Sequence, residues 1–357
     1  MQSKLPTSAS DSVSEDSVSE GIRQRKNDHL RIGLEEDATS SLSTGLERLQ
    51  FVHQALPEIN LEDVSTTQQV FERQLRTPLI IASMTGGTKL ATEFNWRLAE
   101  AAQATGVGMG IGSQRAAIED ASASKTFQVR HLAPDILLIA NLGAVQLNYG
   151  YGVMECQRAV DMIQADALAL HLNPLQEACQ IEGDTRFAGL LSKNENICEH
   201  LQVPVIVKEV GWGISERVAR QLASAGVAAI DVAGAGGTSW SQVEMFRAES
   251  ESQAQVAAAF RDWGIPTAET IRQARRGAAG TMILASGGLR SGIDLAKCLA
   301  LGATVGSMAG PLLTAAADST ERVVSCIERV TQELRLCMFA TGSTNVADLA
   351  NAEMFEA

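Results

Sequence analysis

The sequence predicts an α/β fold: a (β/α)8 TIM barrel forming a single domain behind a disordered N-terminal tail. Three observations carry this reading. From Thr77 onward one unit recurs eight times, a short apolar run, a Gly-rich or polar end, then a longer stretch of helical composition. The runs hold roughly four to six apolar residues without alternation, as in strands covered on both faces. A chain of 357 residues that is 45% hydrophobic can also bury the core of one large α/β domain. A doubly wound open sheet is the alternative architecture.

Ser3 to Glu20 is rich in serine and acid with few bulky apolar residues, so burial cannot offset its ordering entropy. Residues 1–24 are therefore expected to form the disordered tail. Residues 25–76 read as a loop, a helix over Gly45 to Ala55 and a weak strand or turn region. The barrel is expected over 77–357, with strands in 78–87, 107–115, 135–143, 167–174, 203–213, 228–238, 281–292 and 303–311. Helices are expected at Glu93–Thr105, Ser215–Ala225 and Gly292–Leu301, the last two each followed by a glycine stop. Val323, Ile327, Val330 and Leu334 give the last helix one apolar stripe. An insertion at about 239–266 breaks the rhythm between strands six and seven. It carries Trp240, Phe246, Phe260 and Trp263 among many charges, and is either helical elaboration or a lid.

Composition excludes several functions. Lys plus Arg number 29 against 42 Asp plus Glu, a net charge of -13 that repels nucleic acid. No run approaches the ~18 apolar residues of a membrane span, and the start lacks a secretory pattern, so a cytoplasmic protein is expected. The six cysteines form no C-x-x-C pair and read as reduced thiols within the fold.

In such barrels the C-terminal strand ends meet at one mouth. The ends here are Ser83-Met84-Thr85-Gly86-Gly87, Ser113-Gln114-Arg115, Asn141, His171 with Asn173, Gln176 and Glu177, Lys208-Glu209, Gly234 to Thr238, Gly287-Gly288-Leu289-Arg290 and Ala309-Gly310. Each alone has an ordinary structural reading: a turn glycine, a paired lysine, a hydrogen-bonded core histidine. Eight polar ends together are harder to dismiss. The seventh and eighth place Gly-rich turns beside helix starts, where free backbone N–H groups cradle phosphate. With Lys208 and small or hydroxyl-bearing ends to line a flat ring, FMN is the natural occupant. Glu177 reads equally as a magnesium anchor or as a carboxylate favoured by a helix N-terminus. Arg25, Lys26 and His29 read alone as a solvated basic face.

The segments RKNDH, ASMTGG, GIGSQR, LHLNPLQE, VIVKEVGWG, DVAGAGGTSW, ASGGLRSG and GSMAGPLL resemble, in order and spacing, type 2 isopentenyl diphosphate isomerase over Arg25 to Leu349. The resemblance implies interconversion of isopentenyl and dimethylallyl diphosphate by allylic proton transposition over reduced FMN, with NADPH as reductant. It implies that FMN is held by Ser83, Met84, Thr85, Ser113, Asn141, Lys208, Thr238, Gly287, Gly288, Arg290, Ala309 and Gly310. The diphosphate would be gripped by Arg25, Lys26, His29, Ser113, Gln114 and Arg115, with residues 25–76 contributing to a clamp. Gln176, His171 and Asn173 would form the catalytic wall, Gln176 reaching the hydrocarbon, and Glu177 would hold magnesium. A homo-oligomer is implied as well. The competing readings are an FMN-dependent 2-hydroxy acid oxidoreductase on the same barrel, whose His-Gly-Gly-Arg-like base segment is missing here, and a non-catalytic flavin-binding protein. A purine nucleotide dehydrogenase would want a cysteine where GAGGTSWSQ has none.

Overall fold

The eight apolar runs form eight parallel strands that close into a barrel in the computed structural model, which describes residues 15–357. In chain order they are β1 (Leu79–Ile81), β2 (Gly108–Gly110), β3 (Leu138–Gly143), β4 (Ala167–His171), β5 (Val205–Lys208), β6 (Ala229–Asp231), β7 (Met282–Ala285) and β8 (Val305–Met308). Each pairs in parallel with the next, and β8 closes on β1.

Alternation along each strand divides the core in two. Ile80, Ile139, Ala167, Ala169, Ile206, Ala229, Leu284 and Val305 face inward and fill the barrel. Leu79, Ile81, Leu138, Ala140, Leu168, Leu170, Val205, Val207 and Ile230 face outward against the helices. The hairpin of Gln68–Val70 and Arg73–Leu75 sends Val70 and Leu75 into the inner cluster and plugs one end. Continuing the inward series by two residues brings Asn141, His171, Lys208, Asp231, Ser286 and Ser307 to the other end, where the chemistry sits.

The helices follow their start and stop signals. Helix α1 is Glu15–Glu35 and α2 is Lys89–Thr105, the latter capped by the Thr88 hydroxyl and stopped at left-handed Gly106. Next come α3 (Pro174–Cys179), α4 (Trp240–Arg247), α5 (Glu251–Ala258), α6 (Gly310–Asp318) and α7 (Thr320–Ala340). Val323, Ile327, Val330 and Leu334 of α7 are fully buried, as their spacing predicts.

Two local expectations are corrected. The stretch read as a tail through residue 24, followed by a loop, is helical from Glu15; residues 1–14 of that stretch lie outside the described residues. Its buried end explains the helix: Leu30 and Ile32 are covered, Ile32 in a cluster with Ala38 and Val243. The expected helix over Gly45 to Ala55 is instead a 3-10 turn, Leu46–Arg48, followed by Leu49–Phe51, which pairs antiparallel with Met354–Glu356. A partner strand from the far end of the chain overrides local propensity there. The insertion is helical elaboration, α4 and α5. All six cysteines are free, and no helix among the described residues is long and apolar enough to cross a membrane.

Candidate active site

The strand ends open into a cavity of about 430 Å³ roofed by α1 and α4. Every residue to which the resemblance gives a role lines it except Gln114. Gln114 is fully buried behind the wall, where its amide donates to the Ala159 carbonyl at 2.8 Å and its oxygen accepts from Asn141 N at 3.0 Å. It braces β2 against β3 rather than facing a ligand.

Register sets one half of the mouth. Gly143, His171, Lys208 and Asp231 are level across β3 to β6. His171 Nδ1 lies 2.8 Å from Asn141 Oδ1, an arrangement that needs the proton on Nδ1. Burial, then the charge of Lys208, lowers the imidazole pKa to about 3, so the ring is neutral. Lys208 Nζ donates to the Glu209 carbonyl at 2.6 Å. Beside it Asp231 accepts from Ser286 Oγ at 2.5 Å, and burial raises its pKa against the pull of Lys208. The Glu209 carboxylate accepts three backbone N–H bonds, from Val210, Gly211 and Trp212, yet burial still lifts its pKa to about 7.

Past β4 the chain turns into α3, with Pro174 fixing its first turn. This short helix turns Asn173, Gln176 and Glu177 into one buried cluster. Asn173 Nδ2 donates to Glu177 Oε1 at 2.8 Å, and Glu177 Oε2 accepts from Gln180 at 3.1 Å and from the Asp184 N–H at 2.7 Å. Asn173 Oδ1 is buried and unpartnered among the described residues.

The roof supplies positive charge. Arg25, Lys26 and His29 sit on the underside of α1 and all line the cavity, His29 lying four and three positions beyond the other two and so on the face they flank. Lys26 Nζ donates to the Ser113 carbonyl at 2.8 Å and stands 4.9 Å over the Phe127 ring. Burial, then neighbouring Arg25, lowers its pKa to about 7. Burial also lowers Arg25 and keeps His29 neutral. His29 Nε2 meets Glu244 of α4 at 3.2 Å, and Gln176 donates to the same carboxylate oxygen at 3.0 Å. Arg247 binds the other oxygen at 2.6 Å. Burial disfavours the Glu244 anion, but these partners outweigh it and hold its pKa down.

Sequence reasoning passed over Glu244, Asp231 and Asp184. Glu244 was hidden among the charges of the insertion, and its partner His29 lies 215 positions away. Asp231 had a usable signal, an acid ending a strand at the same level as Lys208.

A family model described as FMN-dependent dehydrogenase matches residues 176–356. An isopentenyl-diphosphate delta-isomerase of Rickettsia canadensis is 49% identical over 331 residues, 93% of this chain and 97% of that one. One from Synechocystis sp. is 52% identical over 333 residues, covering 93% and 95%. The chain belongs to the isopentenyl-diphosphate delta-isomerase family. Mandelate oxidase with (S)-2-phenylpropionate shares the barrel, at a TM-score of 0.64 and 19% identity over 95% of this chain and 98% of that one. Mandelate oxidase with 3,3-difluoro-2-hydroxy-3-phenylpropionic acid gives 0.65 and 19% over 97% and 99%. At that identity the likeness shows the fold alone.

The family's FMN suits the other half of the mouth. Gly287 and Gly288 have φ of 103° and 76°, and a Cβ on Gly288 would lie 2.5 Å from the Gly236 carbonyl oxygen. Only glycine leaves these backbones in contact with their N–H groups bare. Gly310 opens α6 with nothing within 4 Å of where its Cβ would stand, so the helix start faces open space. A phosphate fits there by the helix field and the free donors together. A hard cation suits the α3 side differently: Glu177 offers one carboxylate, Asn173 Oδ1 a spare acceptor, and among the described residues no group of three or more His, Cys, Asp or Glu surrounds them. A magnesium ion held there would draw its remaining oxygens from water and phosphate.

Proposed function

We propose that this protein interconverts isopentenyl and dimethylallyl diphosphate, using FMN in its reduced form, magnesium at Glu177, and NADPH as the source of the flavin's electrons. The observation that carries the reading is the opposition, in one cavity, of a cationic roof from Arg25 and Lys26 and a floor of amide and carboxylate from Asn173, Gln176 and Glu177. The reaction adds a proton to one end of the allylic unit and removes one from the C2 position, without net electron transfer. Reduced FMN supplies an electron-rich ring beside the developing tertiary cation and a proton-carrying edge.

The chain's own residues do the rest. The bare N–H groups of Gly287, Gly288 and Gly310 hold the flavin phosphate, and Lys208 stabilises negative charge on the ring. Ser83, Met84, Thr85, Ser113, Asn141, Thr238, Arg290 and Ala309 complete the flavin wall. Arg25, Lys26 and Arg115 neutralise the diphosphate, with neutral His29 beside them, and its binding energy positions the distant alkene. Gln176, pinned by Glu244, orients against the hydrocarbon with His171 and Asn173 beside it. A roof of α1 over α4 keeps out water that would trap a cation. In a cell we place the protein in the cytoplasm, as a homo-oligomer acting on a free small molecule.

The FMN-dependent dehydrogenase match favours one second reading, oxidation of a 2-hydroxy acid. An anaerobic assay separates the two. Protein with FMN and magnesium, reduced by NADPH or dithionite, should convert isopentenyl diphosphate to dimethylallyl diphosphate, and the oxidised sample should not. Absence of product with bound, reduced flavin, and flavin reduction by 2-hydroxy acids instead, would overturn the isomerase reading.

A further inference from the structure

Arg115 and Glu177 leave different strands, β2 and β4, and a residue outside the cavity ties them together. After α3 the chain doubles back so tightly that a Cβ on Gly183 would run into the Glu177 carbonyl oxygen. That return sets the Asp184 N–H 2.7 Å from Glu177 Oε2. The Asp184 carboxylate then reaches Arg115 Nη1 at 2.5 Å and Gln146 Nε2, beyond β3, at 2.8 Å. The ends of β2, β3 and β4 are thereby joined through one side chain and its own N–H. Asp184 is not part of the cavity wall, while Arg115, Gln146 and Glu177 are.

A guanidinium has five N–H donors. Glu119 takes the one on Nε at 2.7 Å and Asp184 takes one on Nη1, so the remaining Nη donors stay available for an anion. The two carboxylates also fix a side chain that otherwise loses rotamer freedom on binding. Burial alone would lower the Arg115 pKa, and these acids more than reverse it, so the cation is secure.

We propose that Asp184 is a positioning residue that aims Arg115 at the diphosphate and fixes its spacing from Glu177. The identity of the anion rests on the function proposed above, but the geometry does not. Asp184 acts through Arg115, Gln146 and the loop, without touching the ligand.

The test titrates the full-length, FMN-loaded protein with inorganic pyrophosphate at fixed magnesium, by calorimetry, for the unmodified chain, Asp184→Ala and Asp184→Asn. Alanine should weaken pyrophosphate binding about tenfold or more, the worth of a hydrogen bond to a charged group. Asparagine keeps an oxygen for Arg115 and should recover part of the loss. FMN stoichiometry and the flavin absorption spectrum should not change. In the isomerisation assay KM should rise by a similar factor while kcat moves less. Unchanged binding in the alanine variant would overturn the proposal, and so would tighter binding, which would make Asp184 a repulsive charge. Should alanine lose its flavin, the asparagine variant decides: unweakened binding there overturns the proposal, and weakened binding supports it. Weakened pyrophosphate binding in the variants, beside an unmodified chain that leaves isopentenyl diphosphate untouched, would refute the function and keep the positioning role. An unmodified chain that does not bind pyrophosphate refutes both.

Discussion

The two halves of the mouth are built from opposite materials. From β3 to β6 the wall is side chain: Asn141 is hydrogen bonded to His171 and Asn173 to Glu177, and Lys208 stands level with Asp231. From β7 to β8 it is bare backbone, with Gly287, Gly288 and Gly310 exposing N–H groups that a side chain would cover. The difference separates two tasks. Bare backbone suits a permanent phosphate, because its donors are fixed and carry no rotamer entropy to lose. Paired side chains suit the reacting groups, the flavin ring at Asn141 and Lys208 and the substrate at Asn173 and Glu177, because their charge and proton positions are tuned by neighbours.

The sharpest break of this division comes from Gly288→Ala. At φ 76° and 2.5 Å from the Gly236 oxygen, an added methyl forces the cradle apart. FMN binding should weaken on the order of a hundredfold, read by flavin fluorescence. Glu177→Gln attacks the opposite half. It should keep its flavin and lose on the order of a hundredfold in turnover at fixed magnesium, with the magnesium requirement raised. Loss of flavin instead would erase the distinction between the halves.

Arg115→Ala should be milder, about tenfold in KM with kcat falling as well, because remote binding energy positions the alkene. A change in KM alone would confine Arg115 to anchoring. The smallest effect comes from pH. With a pKa held near 7 by burial and then Arg25, Lys26 is charged below that pH and neutral above it in the ligand-free protein. Between pH 6 and 8 pyrophosphate binding should weaken by up to about tenfold in all through this one proton. Lys26→Met should bind more weakly at pH 6 and show a shallower profile, measured by calorimetry at constant ionic strength. A profile unchanged by the substitution would remove Lys26 from the anion site.

The barrel was legible because both of its periods are local. Unbroken apolar runs name the strands, and polar ends name the mouth, so Asn141, His171, Lys208, Gly287 and Gly310 all arrive together. Errors arose where distant partners decide. Leu49–Phe51 is a strand only because Met354–Glu356 lies beside it. Helix α1 begins within a stretch whose composition resembles a tail, and its underside acquires meaning only when Glu244 and Ser113 meet it. Gln114 sits between two residues that line the cavity, but it points the other way into the β2–β3 brace. Asp184 lies in a polar stretch with no pattern, and nothing in the sequence foretells that Gly183 lets the chain fold back to Glu177.

The most direct measurement is the reaction run anaerobically in deuterium oxide with stoichiometric reduced FMN, followed by NMR of the product and by flavin absorbance in the same tube. The account requires deuterium in the new methyl group of dimethylallyl diphosphate while the flavin stays reduced. Flavin that becomes oxidised in step with substrate loss, or product that carries no deuterium, would contradict proton transposition in this cavity.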